Sequence, residues 1–124
     1  MLTILLVGLD DSLLKTRGLV LRQLATNVIK AAPDKALGLL EAQRFDLVVL
    51  CHTITVQQSK AIISVAHAAI PKIPVVQVLG TPFAETYDGV DADATADRGP
   101  HQLVQAAERT MKLFRSSQTD VTVA

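Results

Sequence analysis

The sequence predicts a three-layer α/β/α sandwich built on a parallel sheet. Short apolar runs alternate with amphipathic segments at an even spacing of about 20–25 residues, the signature of repeated strand–helix units. The runs lack polar alternation, as strands covered on both faces do. With 124 residues, 49% hydrophobic and 19% charged, the chain has enough apolar surface for one core without staples.

Each element follows from local pattern. Leu2–Val7 is a continuous apolar run of strand length. Asp10-Asp11-Ser12 follows, and Asp11 or Ser12 is placed to cap a helix from Leu13 to Ala25. Leu13, Leu14, Val20, Leu21 and Leu24 fall on its inner face, while Lys15, Arg17 and Arg22 read as a solvated face. Asn27–Ala32, β-branched at Val28 and Ile29, reads as a second strand. Pro33 suits the first turn of a helix whose buried stripe is Ala36, Leu37, Leu39 and Leu40.

Asp46–Cys51 carries Leu47-Val48-Val49-Leu50, the clearest central-strand signal. Gln57–Ile70 has Ile62, Ile63, Ala66 and Ile70 at helical spacing. Val75–Leu79 is a fourth strand, closed by Gly80-Thr81-Pro82. Ala92–Ala96 is a fifth, with Ala92, Ala94 and Ala96 facing a helix and Asp91, Asp93, Thr95 and Asp97 facing water. A last helix spans about His101–Arg115, with Leu103, Val104, Ala107, Met111 and Phe114 inward. Residues 1–115 form the domain, and 116–124 read as a polar tail that frays.

Composition excludes several functions. Lys+Arg and Asp+Glu are both 12, so no net charge draws a polyanion, and 3% aromatics offer few stacking platforms for nucleic acid. One cysteine, Cys51, excludes an internal disulfide and a multi-cysteine metal site. No apolar run spans a membrane, and the first residues read as a strand and not as a secretion signal, so the expected location is the cytoplasm.

Three stretches carry a family likeness: Ala32 to Leu50, with its Phe45-Asp46-Leu47-Val48-Val49-Leu50 end; Ile73-Pro74-Val75-Val76; and Ile4-Leu5-Leu6-Val7 followed by acids. Over about residues 2–115 the chain resembles the receiver (CheY-like) domains of bacterial response regulators. The resemblance implies a flavodoxin-like, five-stranded sheet of order 2-1-3-4-5, with a crevice at the carboxyl ends of strands 1 and 3. The family's fourth helix is expected to be shortened, because only Thr81–Asp88 is left for it.

Family chemistry uses a phosphoacceptor aspartate ending strand 3, an acidic pair for Mg²⁺ after strand 1, a Ser/Thr ending strand 4 and a Lys ending strand 5. Carried over by position, the phosphoacceptor place is Cys51. The Ser/Thr place is Leu79, or Gly80 and Thr81 if the register slips, and the Lys place is near Ala96. Gly8-Leu9 occupy the acidic-pair places and Asp10-Asp11 come after them; counting Gly8 as an insertion returns Asp10 to the pair. A thiol, a leucine and an alanine supply neither hard oxygen ligands nor the charge that phosphoryl transfer needs.

The candidates have plain readings as well. Cys51-His52 is a possible nucleophile, redox or soft-metal pair, or a buried filler beside an unrelated imidazole. Asp10 and Asp11 read as metal ligands or as helix caps. Glu85, Asp88, Asp91, Asp93 and Asp97 form an acidic edge, without the glycine and glutamate of a calcium loop. His67 and His101 stand alone, and Leu19 with Met111 or Phe114 is a candidate dimer patch.

The expected function is a phosphorylation-independent receiver-like module of a two-component or phosphorelay pathway. It is expected to be non-enzymatic, without cofactor or metal, and to act on a protein partner, a fused output domain or a second copy. Nucleic acid and membrane are not expected partners. Two alternatives stand: Cys51 as thiol sensor or phosphocysteine carrier, and an atypical response regulator phosphorylated on Asp10 or Asp11.

Overall fold

A computed structural model describes residues 2–24, 27–81, 84–95 and 99–123, with side chains described through Phe114. Five parallel strands are ordered β2-β1-β3-β4-β5, as the resemblance implies. They are β1 (Thr3–Val7), β2 (Asn27–Ala31), β3 (Leu47–Leu50), β4 (Val75–Leu79) and β5 (Ala92–Thr95). Four helices cover them: α1 (Asp11–Leu21), α2 (Pro33–Ala42), α3 (Val56–Ala68) and α4 (Pro100–Val123).

Strand alternation divides the core in two. Ile4 and Leu6 of β1 and Val49 of β3 face α1 and α4, where they meet Leu14, Leu21, Leu103, Ala107 and Met111. Leu5, Val7 and Val48 face α2 and α3, where they meet Ala36, Leu40, Ile62 and Ala66. Each such fully buried aliphatic side chain contributes about 1.5–3 kcal/mol relative to exposure. The expected alanine face of β5 holds at Ala92 and Ala94, which join the α1/α4 side. Ala96 lies outside the described residues.

Two aspartates tie the amino-terminal ends of the strands. Asp46, just before β3, accepts the Thr3 N–H on Oδ2 at 2.8 Å and donates its own N–H to the Thr3 carbonyl at 2.8 Å. Asp91, just before β5, does the same for Val75 at 2.7 and 2.8 Å. Asp91 also binds His67 Nε2 at 2.9 Å, so His67 does not stand alone as expected.

Several boundaries differ from expectation. The α1 cap is Asp10, which accepts the Leu13 N–H at 3.1 Å; neither Asp11 nor Ser12 takes that place. The helix stops at Leu21 because Gln23 and Leu24 donate to carbonyls three residues back, at 3.2 and 3.0 Å, which tightens the last turn. α3 starts at Val56 on a capping box of Thr55 and Gln58. It ends at Ala68, and Ile70, expected inside, is 95% exposed. α4 does not stop near Arg115 but runs to Val123, since no glycine or proline follows Pro100 to end it. Met111 is core, which removes it from any dimer patch, whereas Leu19 is exposed.

The shortened helix between β4 and β5 is not found among the described residues; a turn closes at Tyr87–Val90. Buried Gln77, in the middle of β4, holds this loop. Its Oε1 accepts the Tyr87 N–H at 2.7 Å and its Nε2 donates to the Glu85 carbonyl at 3.3 Å. Tyr87 Oη in turn donates to the Ile54 carbonyl at 3.2 Å, bridging the loop to the segment after β3. The acidic edge is therefore partly structural: Asp91 holds a strand, and Asp93 accepts from the Thr86 hydroxyl at 3.2 Å.

Candidate functional site

The carboxyl ends of β1, β3 and β4 bring together Gly8, Asp10, Cys51, His52, Leu79 and Gly80. Cys51 follows β3 directly; its N–H donates to the Val7 carbonyl at 2.9 Å, which extends the β1–β3 ladder. The side chain is 1% exposed and packs in the α1/α4 core. Gly8 explains the close approach: a Cβ there would lie 3.1 Å from both Cys51 Cβ and Leu14 Cδ2. Burial pushes the Cys51 thiol above its ordinary value, opposed by the charge and hydrogen bonding of Arg17, with Asp10 adding a smaller upward push. The filler reading fits this environment better than a nucleophile does.

Arg17 is the residue that the sequence reading misplaces. It is not on a solvated face: it is 9% exposed, with its guanidinium turned toward the carboxyl ends of the strands. The signal lies in spacing. Leu14, Arg17, Gly18 and Leu21 are the buried residues of α1, three or four apart, so position 17 belongs to the inner stripe whatever its charge.

Arg17 Nη2 donates to His52 Nδ1 at 3.3 Å. A guanidinium cannot accept, so Nδ1 carries no proton in this contact and the ring is neutral. Desolvation lowers the His52 pKa, the Arg17 charge lowers it further, and Asp10 opposes both. The ring rests on Gly80, where a Cβ would lie 3.1 Å from His52 Cδ2. Cys51 and His52, adjacent in the chain, thus share Arg17 as neighbour.

The remaining candidates are placed as follows. Asp10 caps α1 and faces the site electrostatically. Asp11 is exposed and lines a separate groove with Lys15, Lys30 and Lys35. Leu79 is buried and offers hydrocarbon, while Thr81 is exposed and its carbonyl accepts the Ala84 N–H at 3.2 Å. Ala96, with Asp97 and Arg98, lies outside the described residues.

A magnesium ion does not fit these residues. The donors near the β3 end are a buried thiol, an imidazole nitrogen already taken by Arg17, and a carboxylate engaged in capping. Mg²⁺ requires near-octahedral oxygen ligation, and a fixed guanidinium repels a second cation. Among the described residues no three His, Cys, Asp or Glu side chains converge. Nor is any helix among them long and apolar enough to cross a membrane.

No protein-family model and no curated protein matches the chain. Solved structures do match. The signal receiver domain of an HD domain-containing protein from Pseudomonas fluorescens superposes with TM-score 0.76 at 18% identity, over 93% of this chain and 98% of that one. A response regulator receiver modulated diguanylate cyclase from Pelobacter carbinolicus gives TM-score 0.76 at 16% identity, over 96% and 99%. The chemotaxis protein CheY4 of Vibrio cholerae gives TM-score 0.72 at 17% identity, over 89% and 98%. The chain therefore has the fold of response-regulator receiver domains.

Proposed function

We propose that the chain is a receiver-fold signalling module that works by contact with a protein partner and without aspartyl phosphorylation. The observation that carries this reading is residue 51. Where the receiver resemblance places the phosphoacceptor aspartate, a thiol is buried at 1% exposure behind Gly8 and beside Arg17. Phosphoryl transfer depends on positioned charge and metal; residue 51 supplies no carboxylate, the nearby Asp10 carboxylate is engaged in capping α1, and the donors present do not fit Mg²⁺. A switch needs a ligand that distinguishes two states, and a phosphoryl group has no seat here.

The same burial speaks against a thiol sensor or phosphocysteine carrier, since the thiolate is the reactive form and desolvation disfavours it. Asp10 as atypical acceptor would give up its cap on α1. The partner is a protein surface, from an output domain or a second copy of the chain. Two of the matched structures belong to an HD domain-containing protein and a diguanylate cyclase, which makes a fused or docked output unit a reasonable class. The segment Ala84–Asp91, held by Gln77 through Glu85 and Tyr87, is the face we assign to that contact.

The test is incubation of the full chain with acetyl phosphate and Mg²⁺, followed by intact-mass measurement. No phosphoryl adduct is expected. An acid-stable, hydroxylamine-sensitive adduct on any aspartate would overturn the reading.

A further inference from the structure

We propose that the groove lined by Lys15, Lys30 and Lys35 binds the diphosphate group of a small molecule. The site is separate from the Cys51 crevice and does not rest on the signalling reading.

The first observation is a cluster of cations without counterions. Lys15 on α1, Lys30 near the end of β2 and Lys35 in the first turn of α2 line one groove with a single acid, Asp11. All three lysines are exposed, and neither ion pair among the described residues involves them. The groove on α4 differs: its Lys112 is paired at 3.0 Å with Glu108, which lines the same groove. The zero net charge of the whole chain hides this local excess of positive charge. Lys30 is also held in place. A Cβ on Gly18 would lie 3.5 Å from Lys30 Cδ, so the Lys30 stem is laid against α1, one helical turn from Lys15.

The second observation is the shape of the groove. It has a volume of about 520 Å³, within the roughly 300–1,000 Å³ of small-ligand sites. Gly8 and Ala31 line it and are joined by the Gly8 N–H, which donates to the Ala31 carbonyl at 3.1 Å. One wall is thus an extension of the β1–β2 ladder. Leu14 and the exposed Leu9 add hydrocarbon. There is room for a phosphorylated head and for part of the body that bears it.

The lysines select the anion. They stand on three different elements, so together they match an anion with several charged oxygens better than a single carboxylate. An ammonium is a compact point charge without the planar fork of arginine, and it suits tetrahedral phosphate groups. Two linked phosphates carry more charge than one and span a longer distance. The positive end of α2 lies on the same rim, where Ala32 lines the groove and offers no side-chain cap, and it adds to the field that the lysines set. Asp11 opposes an anion. Binding is non-covalent: no bond to phosphorus forms or breaks.

The probe is pyrophosphate, added to the full chain in EDTA over the micromolar to millimolar range, with orthophosphate, ADP, adenosine and hexaglutamate alongside. Readouts are the backbone amide resonances of Gly8, Ala31 and Lys35, compared with those of Val76 and Ala107 in the core. Pyrophosphate is expected to shift the first set saturably and to leave the second in place. Orthophosphate should bind at least about tenfold more weakly, and adenosine should not bind. ADP binding as tightly as pyrophosphate assigns recognition to the phosphates alone; tighter ADP binding assigns part of it to the body against Leu9 and Leu14. Lys15→Gln, Lys30→Gln and Lys35→Gln should each weaken pyrophosphate by about three- to fivefold. Asp11→Asn should tighten it by a similar factor, a gain that a damaged fold does not produce. Absence of saturable shifts, failure of ADP to bind, an equal response to adenosine or orthophosphate, or tighter binding of hexaglutamate would each overturn the proposal. So would affinity unchanged in the lysine variants or in Asp11→Asn.

Discussion

Arg17 and His52 are joined by one hydrogen bond, Nη2 to Nδ1 at 3.3 Å, which only an unprotonated ring nitrogen can accept. The bond links α1 to the segment after β3. It makes the folded protein favour neutral His52.

A pH dependence follows from that preference. Desolvation and then Arg17 hold the folded His52 pKa below its ordinary 6.5. The unfolded chain therefore takes up the proton first as pH falls. The stability that His52 contributes is present above 6.5 and lost as pH drops through the lowered folded value. A His52 titration by NMR should show the lowered value. Arg17→Met should bring it back toward 6.5. An unchanged titration in that variant would remove Arg17 as a cause.

Cys51 sets the alkaline side. Burial raises its folded pKa above 9.0, so its contribution to stability is present below 9.0 and lost as pH rises through the folded value. Iodoacetamide should label the native chain far more slowly than the urea-unfolded chain at the same pH. Comparable rates would mean that the thiol is accessible.

Substituting Arg17 by methionine should stabilise the chain. It removes a buried charge that no ion pair among the described residues compensates; even whole buried ion pairs exchanged for apolar groups of similar volume leave stability unchanged or raise it, by up to about 4 kcal/mol. Urea melts of the two proteins give the sign. A clear loss of stability would show that the guanidinium is better satisfied than its contacts indicate.

Gln77→Leu should detach the loop that follows β4. The partly buried Tyr87 N–H and the Glu85 carbonyl would both lose their partner. Because water can reach part of these groups, the cost is about 1 kcal/mol, the lower end of the range for an orphaned buried group. Amide exchange at Tyr87 should accelerate more than exchange in β1 or β3. Uniform acceleration across the sheet would count against a local role.

Much of this architecture is legible in the residues. Pro74 and Gly80 bracket Val75–Leu79, and β4 occupies those residues. Apolar strands without polar alternation imply two covered faces, and the core divides accordingly. What escapes has a common cause, which is judging a side chain by type before position. Arg17 sits on the inner stripe but reads as solvated. Gln77 is a polar residue inside an apolar run, which is the sign of a buried anchor, yet only the fold shows which loop it holds. Ile70 is apolar at helical spacing but falls after the helix has ended, because the Ile73 N–H takes the Ala66 carbonyl at 3.0 Å and turns the chain. Caps and chain reversals depend on tertiary partners that local pattern does not contain.

The reciprocal bonds of Asp46 with Thr3 and of Asp91 with Val75 lie at one rim of the sheet, opposite the rim that holds Arg17. They anchor the register of β1 with β3 and of β4 with β5 where those strands begin. A substitution that repacks the side chains around Arg17 therefore leaves both registers pinned at the far end of the strands.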